Sequence, residues 1–95
     1  MKRIVGLALA FLSGCGVDVC TMQNDCAQKA GDPFSITACR NDALINREKA
    51  ASKNCSAPYH EYEVCFASLT CDQLNLLGIA NNCGGKYEQY LKCMN

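Results

Sequence analysis

The apolar and polar positions divide the chain into one continuous apolar run near the N-terminus and several short helical patterns after it. No segment alternates apolar and polar residues with a period of two over a sustained length, so a β-sheet is not expected. Apolar positions three and four residues apart, separated by helix caps and chain breakers, indicate helices instead. The sequence therefore predicts an all-α fold, a small disulfide-clamped bundle of short helices arranged as helical hairpins.

Two helices are predicted in the first half of the chain. One covers residues 21–30, and Gly31 and Pro33 break the chain after it. A second, longer helix covers residues 38–53, with Thr37 as its N-cap. Its expected apolar stripe is formed by Leu44, Ala51 and Cys55.

A third short helix is predicted in the second half. Residues 70–73, Thr-Cys-Asp-Gln, have the pattern of a capping box, in which the hydroxyl of Thr70 and the side chain of Gln73 each bond to the other residue's backbone. The apolar segment 71–80 follows as the predicted helix. Asn81 and Asn82 are expected to end it.

An internal repeat surrounds this segment at an offset of 28 residues. Residues 54–65 and 82–93 both read Asn-Cys-x3-Tyr-x2-Tyr-x2-Cys. Each residue of a helix turns ~100°, so this spacing places the tyrosines and cysteines within roughly one side of a helix. Two such helices packed antiparallel would bring Cys55 near Cys93 and Cys65 near Cys83, which is compatible with two disulfides closing one hairpin.

This spacing resembles the twin CX9C helical hairpin of small oxidised proteins of the mitochondrial intermembrane space. The resemblance covers residues 55–93 and consists of spacing alone, so the partners and import chemistry of that family are not expected here. The 17 residues between Cys65 and Cys83 leave room for an additional helix. The resemblance thus implies an embellished hairpin.

The N-terminal apolar run has the features of a targeting segment. Lys2 and Arg3 precede the nine apolar residues 4–12. As a helix these would extend only about 14 Å, roughly half of a bilayer core of ~30 Å. The run is therefore too short for a transmembrane anchor.

The four residues Leu12-Ser13-Gly14-Cys15 resemble the lipobox of bacterial lipoproteins. The resemblance implies cleavage before Cys15, diacylglycerol on its sulfur and a membrane anchor at that residue. The predicted organisation is a signal peptide over residues 1–14, a short lipid-anchored tether over 15–19 and a disulfide-rich helical domain over 20–95. The alternative is an ordinary secretory signal followed by a chance cysteine.

The cysteine count agrees with an exported protein. The chain has nine cysteines, and an odd number leaves one thiol without a partner. Assigning Cys15 to the lipid leaves an even set that can close four disulfides, as suits an oxidising compartment. No pair has Cys-x2-Cys spacing and His60 is the only histidine, which argues against a zinc site and a thioredoxin-like motif. The eight candidates are Cys20, Cys26, Cys39, Cys55, Cys65, Cys71, Cys83 and Cys93.

The pairing of four of these cysteines stays open. If the repeat forms its two disulfides, Cys20, Cys26, Cys39 and Cys71 can pair in three ways. A slight preference goes to Cys26–Cys39 together with Cys20–Cys71.

Charge excludes some partners. Lysine plus arginine balances aspartate plus glutamate at nine each, and removal of residues 1–14 leaves seven against nine. No basic stripe for nucleic acid and no polybasic segment for anionic lipid is present. Membrane attachment is expected through lipidated Cys15 alone. Gly16 after that cysteine favours the periplasmic face of the outer membrane, by enterobacterial sorting rules.

No catalytic or metal-binding constellation stands out. His60, Glu61 and Glu63 are closely spaced polar residues of one short helix, and a solvated surface is predicted for them. The repeat tyrosines are expected to pack with their hydroxyls at the rim, with a partner-binding stripe as the alternative. No serine has a G-x-S-x-G setting.

These observations predict a lipoprotein of the bacterial cell envelope, similar to small cysteine-rich helical lipoproteins. Its expected role is that of a structural or protein-interaction module with an envelope partner of unspecified kind. Neither enzymatic activity nor a cofactor is expected. The alternative is a secreted, non-lipidated, disulfide-rich helical effector or inhibitor.

Overall fold

The computed structural model describes residues 18–95, which form four α-helices and one 3-10 turn. No strand occurs within these residues, and four disulfides clamp the helices together, so the predicted fold class is confirmed. The predicted signal peptide and Cys15 lie outside the described residues. In chain order the elements are α1 (Val19–Ala30), α2 (Ile36–Ser52), α3 (Ser56–Ala67), the 3-10 turn (Cys71–Gln73) and α4 (Leu76–Met94).

Helix α1 begins two residues before its predicted start. The carboxylate of Asp18 accepts a hydrogen bond from the backbone N–H of Thr21 at 3.0 Å, so Asp18 is the N-cap. The helix ends at Gly31, whose positive φ of 77° suits glycine. Asp18 and Val19, which the sequence analysis assigned to the tether, thus belong to the first helix and its cap.

Helix α2 also begins earlier than predicted. The hydroxyl of Ser35 accepts a hydrogen bond from the N–H of Ala38 at 3.1 Å, so Ser35 and not Thr37 is the N-cap. At the other end Asn54 adopts the left-handed conformation, with φ of 60°. Asparagine tolerates this region, and the chain turns sharply there into α3.

The apolar stripe predicted for α2 is wrong in detail. Leu44 is 55% exposed and Ala51 is exposed, whereas Ala50 is fully buried. Ala50 packs with Cys55 and Tyr59, the first buried residues of the following hairpin. Only the C-terminal end of α2 therefore enters the core, and the face that enters it is one position away from the predicted one.

The helix predicted over residues 71–80 is not continuous, although the predicted capping box of Thr70 and Gln73 forms and residues 76–80 are helical. Residues 71–73 form a single 3-10 turn, in which Gln73 Oε1 accepts from the backbone N–H of Thr70 at 2.9 Å. A new helix, α4, starts at Leu76, where Asn75 Oδ1 accepts from the N–H of Gly78 at 2.8 Å. A Cβ atom at Gly78 would overlap the carbonyl group of Gln73, so the close approach of turn and helix requires glycine.

Helix α4 also continues past Asn81 and Asn82, which were expected to end it. The side-chain amide of Asn82 donates to the carbonyl oxygen of Gly78 within the same helix, at 2.7 Å, and so does not act as a cap. Gly84 and Gly85 each disfavour a helix interior by about 1 kcal/mol relative to alanine. Disulfides and aromatic contacts with α3 on both sides of these glycines offset that cost.

Helices α3 and α4 form the antiparallel hairpin that the repeat predicted. Cys55 pairs with Cys93 and Cys65 with Cys83, with Cα–Cα distances of 5.9 Å and 5.8 Å. Nine residues lie between the two cysteines of each repeat, a rise of ten helical steps, so the disulfides lie at the two ends of a shared segment about 15 Å long. These two pairings are confirmed.

The pairing that was slightly preferred for the other four cysteines, Cys26–Cys39 with Cys20–Cys71, is wrong. Cys20 pairs with Cys39, and Cys26 with Cys71, with Cα–Cα distances of 5.8 Å and 5.4 Å. Six residues of helix turn about 600°, so Cys20 and Cys26 point to different sides of α1. One side faces the start of α2 and the other faces the 3-10 turn.

The buried core is small and rich in sulfur. Of six buried hydrophobic residues in the described part of the chain, three are disulfide cysteines. Domains of this size bury little apolar surface, and covalent links commonly supply the missing stability. The six are Cys20, Ala50, Cys55, Tyr59, Leu69 and Cys83, and the one buried charged residue is Glu63.

Candidate functional site: a tyrosine cluster, a buried ion pair and an adjoining groove

The four tyrosines of the repeat meet between α3 and α4. Tyr59 contacts Tyr90 with ring centroids 4.9 Å apart, and Tyr62 contacts Tyr87 at 5.1 Å. Tyr62 and Tyr90 are parallel, with an interplanar angle of 2° and centroids 6.5 Å apart. Such aromatic pairs add ~0.5–1.5 kcal/mol beyond the burial of their surface. The packing role predicted for these residues is therefore the one that their rings have in the structure.

The two tyrosines of α3 are hard to ionise. Burial, followed by the nearby charge of Glu63, raises the pKa of Tyr59 to about 12. Burial also raises the pKa of Tyr62, with a smaller contribution from Tyr87. Both phenols are thus neutral over the physiological pH range, which suits packing and hydrogen bonding and not proton abstraction.

Glu63 contradicts the predicted solvated surface. Its side chain is buried and forms an ion pair with Arg47 of α2, with Oε2 at 2.9 Å from Nη2 and 3.0 Å from Nε. A surface position is predicted for Glu63 and its polar neighbours because charged residues are usually exposed. Only the packing of α2 against α3 supplies the guanidinium group that makes its burial tolerable.

The neighbours of Glu63 are on the surface, as predicted. His60 and Glu61 are exposed, and Glu61 Oε1 lies 2.8 Å from Nζ of Lys86 on α4. This hydrogen bond lowers the pKa of Glu61. An exposed ion pair of this kind contributes little to stability, so it is a contact between the hairpin helices and not a reactive site.

A groove adjoins the ion pair between α1, α2 and α3. Its volume is about 490 Å³. Aromatic rings from the α1–α2 connection and from α3 line it, namely Phe34, Tyr59, Tyr62 and Phe66, together with the carboxylates of Asp42 and Glu63. The contribution of Phe34 and Asp42 is not predicted by the sequence, since nothing in their spacing links them to the repeat. They line the groove only because α1 and α2 fold back over α3.

A second apolar surface lies at the start of α4. Leu76 is 89% exposed and Leu77 70% exposed, the two most exposed large hydrophobic residues of the described chain. Leu76 also lines a groove of about 690 Å³ with Ile79 and Tyr87. Adjacent leucines with so little cover, next to an apolar groove, have the character of a contact surface.

Residues 18–95 bring together no metal-binding set of three or more histidine, cysteine, aspartate or glutamate side chains. Three of the four described serines bond to nearby backbone through their hydroxyls: Ser35 accepts from Ala38, Ser52 donates to the carbonyl of Lys49 at 2.7 Å, and Ser68 donates to that of Cys65 at 2.6 Å.

None of the described helices combines the length and apolar character needed to cross a bilayer. Comparison of the chain with protein-family models, curated proteins and solved structures gave no match.

Proposed function

We propose that this protein is a lipoprotein of the bacterial cell envelope, anchored to the membrane through Cys15 and acting as a structural or protein-interaction module on the periplasmic face of the outer membrane. The observation that carries the proposal is the complete pairing of the eight cysteines from Cys20 to Cys93. None of them is left to pair with Cys15. A ninth cysteine directly after an apolar run and two small residues then has lipidation as its chemical role.

The start of α1 supports a position close to the membrane. Asp18 caps the helix, so only Gly16 and Val17 separate Cys15 from the folded domain. Three Cα–Cα steps of ~3.5 Å limit this connection to about 11 Å. A domain anchored in this way is held against the membrane surface, within about one helix diameter.

The surface at the start of α4 supports the interaction role. Leu76, Leu77 and the groove beside them present apolar side chains to solvent, where a partner protein would cover them. The domain itself is held together by four disulfides and does not need this surface for its own core.

The anchor is tested by mass spectrometry of the mature N-terminus after expression of the full chain in a Gram-negative host. The expected product begins at Cys15 and carries the mass of the lipid. Cys15→Ser should remain unprocessed at this site and lose incorporation of labelled fatty acid. Ser13→Ala, which keeps a small residue, is the matched control and should be processed normally. An unmodified Cys15, or cleavage elsewhere, would favour a secreted effector or inhibitor.

The interaction role is tested by crosslinking in the native envelope. A specific partner should be captured by the wild-type chain and lost when Leu76 and Leu77 are both replaced by glutamate. Leu44→Glu is the matched control, because Leu44 is also exposed but lies on α2. Equal capture by all three proteins, or a reproducible catalytic turnover without any partner, would contradict this role.

A further inference from the structure

The groove between α1, α2 and α3 has the composition of a binding site for organic cations. We infer that it binds a small organic ammonium ion that carries an apolar substituent. The inference is independent of the lipid anchor, since every residue that carries it belongs to the folded domain.

Four of the residues that line the groove are aromatic. Phe34 is 38% exposed, lies on the connection between α1 and α2, and lines the same groove as the rings of α3. On α3 the rings of Tyr62 and Phe66 meet edge to face, with centroids 6.1 Å apart and an interplanar angle of 69°. The face of an aromatic ring attracts cations, and several rings around one space are the usual way in which proteins hold quaternary ammonium groups.

The charged groups that face the groove are negative, as a cationic ligand requires. Asp42 of α2 and Glu63 of α3 contribute carboxylates to the lining, and no lysine, arginine or histidine is among the described residues that line it. Glu63 is already neutralised by Arg47, which lies outside the lining. Asp42 forms no ion pair with any described residue, so its negative charge is the one that a bound cation would balance.

The remaining polar lining consists of hydrogen-bonding groups. Gln23 of α1 and Asn46 of α2 stand at the same groove, and Asn46 hydrogen-bonds to Tyr59. An anionic ligand would meet two carboxylates here. A purely apolar ligand would cover Asp42 and Gln23 without replacing their contacts with water, which is unfavourable. A volume of about 490 Å³ exceeds the needs of a bare ammonium group and leaves room for an apolar substituent.

The test uses the full chain with its disulfides intact and tyrosine fluorescence as the signal, because the chain has no tryptophan. Hexyltrimethylammonium and hexyl sulfate are titrated separately, below their micelle concentrations. We expect saturable binding of the ammonium probe. The affinity for hexyl sulfate should be lower by about tenfold or more. Equal affinity for the two probes, or no saturable signal with the ammonium probe, would overturn the inference.

Variants locate the site. Asp42→Asn and Phe34→Leu should each weaken binding of the ammonium probe about three- to tenfold. Both residues are exposed, and circular dichroism would verify that the helices persist. Asp25→Asn is the matched control, since Asp25 is an exposed carboxylate of α1 outside this groove. Unchanged binding by both groove variants, or an equal loss with Asp25→Asn, would contradict the site.

Competition then distinguishes two sources of the ammonium group. Displacement of hexyltrimethylammonium by phosphatidylcholine vesicles would assign the group to a lipid headgroup. Displacement by free benzyltrimethylammonium, which carries an apolar substituent, and not by vesicles would assign it to a soluble ligand. Both outcomes support the inferred chemistry, whereas a probe that neither competitor displaces would contradict it.

Discussion

Within each half of the described chain, the two helices are held together in a different way. In the hairpin of α3 and α4, two disulfides enclose four tyrosines in mutual contact, so covalent links and packing act on the same interface. Helices α1 and α2 share one disulfide, Cys20–Cys39, and one exposed ion pair, Asp18–Arg40 at 3.0 Å. Each of these two helices has a single buried residue. The hairpin is thus a packed unit, whereas the first half depends on links at individual points.

Loss of a disulfide should show the difference between the two halves most clearly. Replacing Cys26 and Cys71 by serine removes the disulfide that ties α1 to the 3-10 turn, and we expect a loss of ~2–4 kcal/mol in the free energy of unfolding. Hydrogen exchange should show faster exchange in α1, with protection kept in α3 and α4. Equal loss of protection in all four helices would show that the halves are one cooperative unit.

The matched comparison removes Cys65 and Cys83 from the hairpin. The sequence separation of Cys65 and Cys83 is 18 residues, against 45 for Cys26 and Cys71. The loop-entropy model therefore gives a loss in the free energy of unfolding that is smaller by about 1 kcal/mol. The tyrosine contacts should keep α3 and α4 helical at 25 °C. Complete reduction of all four disulfides should unfold the domain, as measured by circular dichroism.

The ion pair between the halves is expected to have the next largest effect. Arg47→Met leaves the carboxylate of Glu63 buried without its partner, and we expect a loss of about 2–3 kcal/mol, reduced from the value for fully buried pairs because Arg47 is half exposed. The double variant Arg47→Met with Glu63→Leu should recover part of this loss. Denaturant unfolding measures both. Additive losses would show that the two side chains are not coupled.

Two glycines of α4 should respond in opposite directions to the same substitution. Gly78→Ala places a methyl group on the backbone of Gln73 and should cost about 1–3 kcal/mol. Gly84→Ala has no atom within 4 Å of its new Cβ and should stabilise the helix by up to about 1 kcal/mol. Thermal unfolding compares them. Stabilisation by both substitutions would mean that the 3-10 turn shifts readily away from α4 to make room for the methyl group.

Alkaline titration tests the packing of the hairpin. The pKa of Tyr59 is raised to about 12, so the native state resists ionisation while the unfolded state ionises near 10. Its contribution to stability is therefore present below pH 10 and is lost as the pH rises toward 12. Absorbance of the phenolate should show a component near pH 12 that is missing in Tyr59→Phe. An identical titration of the variant would contradict the burial of this ring.

Acid titration tests the N-cap of α1 in the first half and should give the smallest change in the free energy of unfolding. The hydrogen bond from Thr21, followed by contacts with Arg40, lowers the pKa of Asp18 from 3.8 to about 2. A lowered carboxyl pKa stabilises the fold above pH 3.8, and this contribution is lost as the pH falls toward 2. Solvent screening limits it to below about 1 kcal/mol. Asp18→Asn keeps a capping side chain and should remove most of this pH dependence, measured as unfolding free energy between pH 5 and 2.

The hairpin could be predicted from the sequence because its information is local and repeated. The same spacing of cysteines and tyrosines occurs twice, and within one helix spacing fixes which side each residue faces. Antiparallel packing of two identical patterns then leaves one register for the disulfides. The groove could not be predicted in this way, since Phe34 and Asp42 reach it through the path of α1 and α2 over α3.

Sequence alone determined the helical class, the even set of eight cysteines and the two disulfides of the repeat, because periodicity and spacing act within single helices. Tertiary structure decided the pairs Cys20–Cys39 and Cys26–Cys71, since these depend on how α1 crosses its neighbours. It also decided the burial of Glu63 beside Arg47. A charge can leave water only where another chain segment supplies its partner, and that position is a property of the assembled fold.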